Sequence, residues 1–77
     1  MITESDVRAA IKKAVRGYDV ERLGIDQDFY EAGLDSLDHA SILLNLQESH
    51  GLIIADEDID QAKTIRGILE YGPEPGA

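Results

Sequence analysis

Cysteine and tryptophan are absent from this chain of 77 residues, and aromatic residues make up only 5% of it. Without cysteine, neither a disulfide frame nor a thiolate metal site can compensate for the small core that a chain of this length allows. No apolar run approaches the roughly 18 residues of a membrane span, and the opening ITESD lacks the basic and apolar regions of a signal peptide. We expect one small, soluble cytoplasmic domain, a monomer whose marginal stability depends on helix packing.

Basic residues are missing from the middle of the chain. None lies between Leu23 and Ala62, whereas ten acids fall in that window, and the formal net charge of the chain is −9. An anionic surface repels nucleic acid and anionic lipid, and it attracts and steers proteins with basic patches. The composition argues against nucleic-acid partners and stable membrane insertion, although solubility alone would also account for the acidity.

Helical spacing of apolar residues marks both ends of the chain. Near the N-terminus the pattern begins after Thr3 or Ser5 as a candidate N-cap and continues as far as Tyr18. KTIRGILEYG predicts a short closing helix, a helical turn is predicted around residues 57–60, and only residues 52–54 suggest a strand. The pattern predicts an all-α fold, a small bundle of three to four helices.

A long connection without sustained periodicity separates the first helix from the second. It carries scattered apolar residues, which should pin it across the ends of the helices, and connections of this length tend to be functional. Gly24 and Gly33 are candidates for positive φ. At the other end of the chain, PEPGA (residues 73–77) is predicted to be a flexible tail on a domain formed by residues 1–72.

The segment from residue 36 to about 49 is predicted to be the second helix, with Gly51 ending it. At about 100° per residue, its apolar side chains form two stripes. An inner stripe consists of Ile42, Leu43 and Leu46, and an outer stripe consists of Leu37, Ala40 and Leu44. A helix in such a small domain buries only one face well, so the outer stripe is either part of a wide core contact or an exposed strip for a partner. Periodicity alone leaves both possibilities open.

Ser36 stands where the long connection becomes this helix. Serine is a favoured N-cap residue, so capping alone would account for it. A helix start also presents unpaired N–H groups and the positive end of the macrodipole, which would stabilise a phosphate esterified there. Asp35, Ser36 and His39 do not make a convincing catalytic triad, because the flanks LDSLD lack the glycines of a nucleophile elbow. No catalytic residue is predicted.

No metal site is predicted either. DEDID at residues 56–60 alternates carboxylates, but a calcium loop that began there would need Gly and Glu where Gln61 and Gly67 stand. His39 and His50 lack third and fourth ligands, so we expect satisfied or partly exposed histidines. If His50 were partly buried, its protonation at acidic pH would loosen the core.

GLDSLDHASILLNLQESHG, together with the upstream DFYEAGLDSLD and the closing TIRGILEYG, resembles the acyl carrier protein family and the related peptidyl carrier domains. That family places DSL at the start of its second helix, and its serine carries 4'-phosphopantetheine. The resemblance implies that Ser36 is the attachment point of this cofactor and that a phosphopantetheinyl transferase is a partner. It also implies an acyl-carrier-like bundle that catalyses nothing itself and holds its cargo as a thioester. An acyl chain could withdraw into such a bundle, at roughly 0.8 kcal/mol per buried methylene.

The resemblance further implies a docking surface on the second helix for acyl-loading and acyl-transferring enzymes with basic patches. By matched position, its electrostatic contacts are Asp35, Asp38 and Glu48, and its apolar strip is Leu37, Ala40 and Leu44. This match favours the exposed alternative for the outer stripe.

The second helix departs from that of common fatty-acid carriers, which are richer in glutamate there and usually place an aromatic residue where His50 stands. Neutral residues occur here at Ser41, Asn45, Gln47 and Ser49. We expect an acyl carrier of fatty acid, lipid or polyketide synthesis that serves a narrow set of specialised partners. The alternatives are an aminoacyl or peptidyl carrier, and an acidic adaptor in which Ser36 only caps a helix.

Overall fold

The computed structural model describes residues 2–71, and over that range the chain forms three α-helices, two 3-10 segments and no strand. The α-helices are α1 (Glu4–Ala14), α2 (Ser36–His50) and α3 (Ile65–Tyr71), and the 3-10 segments are Val20–Arg22 and Asp56–Ala62. The predicted all-α bundle of three to four helices is confirmed. No helix between residues 2 and 71 combines the length and the apolar character needed to cross a membrane. The tail predicted for residues 73–77 lies outside the described residues.

The core lies between the three helices and the long connection. Its largest fully buried side chains include Val7, Ile11, Leu23, Phe29, Ile42, Leu46, Ile65 and Ile68. Each helix therefore contributes two of these side chains, all of them aliphatic, and the connection contributes Leu23 and Phe29. Burial of this apolar surface is the main favourable term in folding.

α1 starts with a reciprocal capping box. The Asp6 backbone N–H donates to Thr3 Oγ1 at 3.2 Å, and the Thr3 backbone N–H donates to Asp6 Oδ2 at 3.0 Å. These bonds satisfy two N–H groups that a helix start otherwise leaves unpaired. The helix ends at Ala14, earlier than the apolar spacing predicts, and Gly17 at a φ of 82° turns the chain away.

Apolar side chains pin the long connection, as predicted. Val20, Leu23, Phe29 and Leu34 are buried, although Tyr30 is 46% exposed. Backbone polar groups in a connection also need partners. Here Phe29 N–H donates to the Lys63 carbonyl oxygen at 2.8 Å. The connection is thus a packed part of the fold.

Arg8 on α1 also holds the connection. One guanidinium nitrogen lies 2.8 Å from the carbonyl oxygens of both Val20 and Leu23, and the same side chain pairs with Glu4. A single side chain therefore fixes both ends of the 3-10 turn. This role has no signature in the sequence, because helical spacing shows only that Arg8 lies away from the core-facing side of α1.

Gly33 has the positive φ that was predicted for it, at 95°, whereas the prediction for Gly24 is wrong. Gly24 lies next to a turn in which its own N–H donates to the Gln27 side chain at 3.0 Å. Such a turn needs no left-handed residue. At Gly33 the chain must reverse direction immediately before α2, and glycine adopts that conformation without steric penalty.

The predicted strand at residues 52–54 is wrong. Leu52 is buried and Ile53 is exposed, so the alternation of burial is present, but residues 51–55 have no regular secondary structure. The Leu52 N–H instead donates to the Leu46 carbonyl oxygen at 3.4 Å, beside Gly51 at a φ of 70°. The backbone that would begin a strand is used to close the end of α2.

Gly67 lets α3 approach the 3-10 segment Asp56–Ala62 closely. A Cβ atom at this position would overlap the backbone carbonyl oxygen of Gln61. The far end of α3 is held by Tyr71, whose hydroxyl donates to Asp58 Oδ2 at 2.9 Å. No pattern in the sequence indicated that this glycine serves a backbone contact rather than a turn.

Candidate functional site

Ser36 is the first residue of α2, and Asp35 is its N-cap. The Asp38 N–H donates to Asp35 Oδ1 at 2.9 Å, and the Asp35 N–H donates to Asp38 Oδ2 at 3.2 Å. The interpretation of Ser36 as the cap is therefore wrong, because the neighbouring aspartate performs that function. Ser36 is exposed, and its hydroxyl has no hydrogen-bond partner among residues 2–71. The serine is left free at the positive end of the helix.

The connection places Ser36 outside by burying the residue two positions before it. Leu34 is 3% exposed, and its N–H donates to the Phe29 carbonyl oxygen at 3.0 Å. Gly33 supplies the turn that brings Leu34 inward. Tyr18 anchors the same turn, since its hydroxyl donates to the Ala32 carbonyl oxygen at 3.0 Å. The serine thus sits on a rigid support, and its side chain points to solvent.

Asp28 stabilises the turn that leads to this support. Its Oδ1 accepts the Tyr30 backbone N–H at 2.8 Å, and its Oδ2 lies 3.4 Å from the Lys63 ammonium. The Tyr30 N–H, and after it the Lys63 charge, lower the pKa of the Asp28 carboxyl below its ordinary value. The hydrogen bond within the turn therefore favours the ionised form of Asp28.

His39 lies one turn after Ser36 but points inward, and it is 2% exposed. Its Nε2 lies 2.9 Å from the Ala62 carbonyl oxygen, and its Nδ1 lies 2.9 Å from the Tyr30 hydroxyl. A carbonyl oxygen only accepts, so Nε2 carries a hydrogen, and in a neutral imidazole Nδ1 then accepts from the tyrosine hydroxyl. The prediction of a satisfied histidine is confirmed. With both nitrogens engaged, the imidazole is not available to activate Ser36.

The partners of His39 were missed by the sequence analysis. Tyr30 is one of the scattered apolar residues of the connection, and nothing in the sequence marks Ala62 as a hydrogen-bond partner. A histidine on the buried side of a helix does signal that two polar partners exist, because buried polar groups are almost always hydrogen-bonded. It does not say which residues they are.

The two stripes of α2 differ sharply in exposure. On the inner stripe Ile42 and Leu46 are fully buried, whereas on the outer stripe Leu37 is 77% exposed and Leu44 is 53% exposed. Ala40, between these two leucines, is also exposed. The alternative of a wide core contact is therefore excluded. An apolar strip faces solvent on the helix that begins at Ser36.

The three acids assigned to the docking surface lie in two separate places. Asp35 and Asp38 lie beside Ser36, and both carboxylates are engaged in the capping box. Glu48 is exposed near the other end of α2, about 18 Å away at 1.5 Å per residue. At about 100° per residue it lies on the side of Leu37 and Leu44, whereas Asp38 lies about a quarter-turn from them.

No ion pair of residues 2–71 involves α2. The salt bridges of this part of the chain join Arg8 to Glu4, Lys63 to Asp28, and Arg66 to Asp26. The negative charge of the helix is thus not neutralised by neighbouring cations.

His50 is exposed at the end of α2, so the condition under which its protonation would loosen the core is not met. The DEDID stretch forms most of the 3-10 segment Asp56–Ala62. No cluster of three or more histidine, aspartate or glutamate side chains between residues 2 and 71 has the arrangement needed for a metal ion.

Comparisons with known proteins agree with this geometry. Residues 5–71 match the protein family described as "Phosphopantetheine attachment site". The sequence is also similar to the acyl carrier protein of Bdellovibrio bacteriovorus, with 33% identity over 75 aligned residues that cover 87% of this chain and 96% of that protein. The family match spans all three helices apart from the first residue of α1, and it includes Ser36.

Proposed function

The chain belongs to the phosphopantetheine-attachment family of acyl carrier proteins, and from this premise we propose that Ser36 bears the cofactor and presents acyl groups to enzymes that dock on α2. Members of the family bind 4'-phosphopantetheine covalently, and they are carriers rather than enzymes. The interpretation as an acidic adaptor without a cofactor is accordingly wrong.

The environment of Ser36 supports its assignment as the attachment point. Its hydroxyl is exposed and unbonded within the described part of the chain, because Asp35 caps the helix in its place. A phosphodiester on this oxygen would lie at the positive end of the α2 dipole, where negative charge is stabilised. When bound, the cofactor supplies a thiol that carries the acyl group as a thioester. The protein contributes a rigid, solvent-facing anchor for it.

The outer face of α2 supports the assignment of the docking surface. Leu37, Ala40 and Leu44 form an exposed apolar strip, and Glu48 extends the same side of the helix. An apolar centre with a charged rim is the usual composition of a protein interface. Because no cation of residues 2–71 neutralises the acids of α2, they remain available to basic patches on acyl-loading and acyl-transferring enzymes.

The cargo is proposed to be an acyl group of fatty acid, lipid or polyketide synthesis. The similarity to a protein named acyl carrier protein supports this choice over an aminoacyl or peptidyl cargo. Neutral side chains at Ser41, Asn45 and Gln47 reduce the charge of the helix, which supports a narrow set of partner enzymes.

Modification of Ser36 is tested by intact mass. The chain is incubated with a phosphopantetheinyl transferase and coenzyme A, and a gain of one phosphopantetheine is expected in the wild type and none in Ser36→Ala. The matched control is Ser5→Ala, which removes an exposed serine from the first turn of α1 and leaves the gain intact. No gain in the wild type, under conditions that modify a control carrier, contradicts the proposal. A full gain in Ser36→Ala contradicts the choice of residue.

A further inference from the structure

His39 connects α2 to the opposite side of the bundle. Its bond to the Ala62 carbonyl oxygen spans 23 positions of the chain. Within residues 2–71 it is the only hydrogen bond that joins α2 to the 3-10 segment Asp56–Ala62 or to α3. Because it lies one turn from Ser36, this connection is made at the end of the helix where the cargo is attached.

Aromatic rings pack around the same imidazole. Phe29 and Tyr30 both meet it edge-on, with ring centroids 5.6 and 5.4 Å away, and Phe29 is fully buried. Ile42, one turn further along α2, is also fully buried. The interior next to Ser36 is therefore filled by side chains in contact with one another.

Two clefts among the described residues lie away from this cluster. A cleft of about 790 Å³ is lined by Leu52, Ile53 and Tyr71 among others, beyond the far end of α2. A second cleft, of about 570 Å³, lies between α1 and the turn at Val20. Neither is lined by any residue from Phe29 to Leu46.

We propose that His39 closes the bundle beside the attachment serine, so that a short acyl cargo stays in solvent instead of withdrawing between α2 and the segment Asp56–Ala62. The proposal rests on the function proposed above. For a chain to enter there, the imidazole must leave the Ala62 carbonyl oxygen, which then remains buried without a donor. The same movement breaks the edge-on contacts of the imidazole with Phe29 and Tyr30. The loss of the hydrogen bond and of these two ring contacts together is what the burial of a short cargo fails to offset. His39 therefore restricts which cargoes the protein shields from solvent.

The test compares thioesters of two lengths on the same protein. A phosphopantetheinyl transferase charges the chain with acetyl- or hexanoyl-coenzyme A, intact mass confirms loading, and cleavage by hydroxylamine is then timed. Each rate is divided by that of the same acyl group on coenzyme A, because the two thioesters differ in intrinsic reactivity, and these normalised rates are compared throughout. In the wild type the two normalised rates are expected to be equal. In His39→Ala, where the truncated side chain leaves space beside Ser36, hexanoyl is expected to be cleaved at least threefold more slowly than acetyl.

Tyr30→Phe is the matched control, because it removes the hydroxyl that meets Nδ1 and leaves the imidazole in place. Its two cleavage rates are expected to remain equal. A purely structural role for His39 would lower the melting temperature of His39→Ala without separating the two rates, and that result overturns the proposal. A wild type that protects hexanoyl threefold or more also overturns it, and this measurement does not require the variant to fold. Failure to load either group contradicts the carrier assignment instead, so the two failures are distinguishable.

Discussion

α1 and α2 begin in the same way and differ in what their outer faces present. Each has a reciprocal capping box at its first turn, made by Thr3 with Asp6 in α1 and by Asp35 with Asp38 in α2. Each also buries aliphatic side chains on its inner face. Outward, α1 presents charged and small side chains, whereas two of the large exposed apolar side chains of residues 2–71 lie on α2.

The difference between the two outer faces separates the side chains of α2 that the fold requires from those that it does not. The inner faces of both helices contribute to a shared core, so folding accounts for them. Folding does not account for Leu37 and Leu44, which bury little surface. An exposed apolar strip of this kind is typical of an interaction surface.

The largest expected effect is the difference in unfolding free energy between Ile42→Ala, on the buried face of α2, and Leu44→Ala, on its exposed face. Loss of the fully buried Ile42 side chain leaves a cavity and should lower the free energy of unfolding by about 2–5 kcal/mol. Loss of the exposed Leu44 side chain should change it by about 0.5 kcal/mol or less, while slowing modification by a phosphopantetheinyl transferase. Urea denaturation measures the first quantity and timed intact mass the second. Equal losses of stability would contradict the separation of the faces.

A smaller effect is expected from the two caps. Thr3→Ala and Asp35→Ala each remove a side-chain acceptor from a helix start, and each should lower the free energy of unfolding by about 1 kcal/mol. Asp35→Asn serves as the control, because its amide oxygen still accepts the Asp38 N–H. If Asp35→Ala were neutral and Ser36→Ala costly, the assignment of the cap to Asp35 would be wrong. Thermal or urea denaturation of all four variants decides this.

A still smaller effect, on docking rather than folding, is expected from charge reversal at Glu48. Glu48→Lys should slow modification by the transferase a few-fold at low salt, and the difference should shrink near 0.15 M salt, where the Debye length is about 8 Å. Glu48 is a cleaner site for this test than Asp38, because Asp38 also holds the start of α2. Glu21→Lys, an equal change on the exposed 3-10 turn, is the control and should leave the rate unchanged. Equal slowing by both variants would indicate a general charge effect.

The smallest expected effect is on the pH dependence of stability, through the carboxyl group of Asp6. The Thr3 N–H and hydroxyl lower the pKa of Asp6 below its ordinary value of 3.8. A carboxyl with a lowered pKa in the folded state contributes stability above the ordinary pKa, and this contribution is lost as the pH falls through the folded pKa. Asp6→Asn should therefore flatten the decline of unfolding free energy below about pH 4, measured by urea denaturation across that range. An unchanged slope would show that the α1 box does not depend on charge.

Periodicity predicted the features that depend on one helix at a time. It located the three helices, separated the two stripes of α2 and placed Gly33 and Gly51 at turns. It offered Ser36 as the cap of α2 where the structure has Asp35, because both residue types are favoured caps and adjacent positions fit the same period. Only the backbone geometry distinguishes them.

Contacts between distant parts of the chain were beyond prediction. The bond from His39 to Ala62 crosses 23 positions, and the bonds from Arg8 to the turn at Val20 cross at least 12. Neither leaves a periodic signature, since each depends on how the elements pack. The candidate site was predictable as far as its exposed face, and the buried support behind it was not.

The hydrogen bonds from Arg8 to the carbonyl oxygens of Val20 and Leu23 determine which segments of the chain could present Ser36 in another scaffold. A fragment that began after the first helix would keep the DSL motif and lose the guanidinium that orders the path toward it. A graft that includes α1 keeps these two bonds, and a graft without α1 carries the attachment residue but not the contacts that order the connection before it.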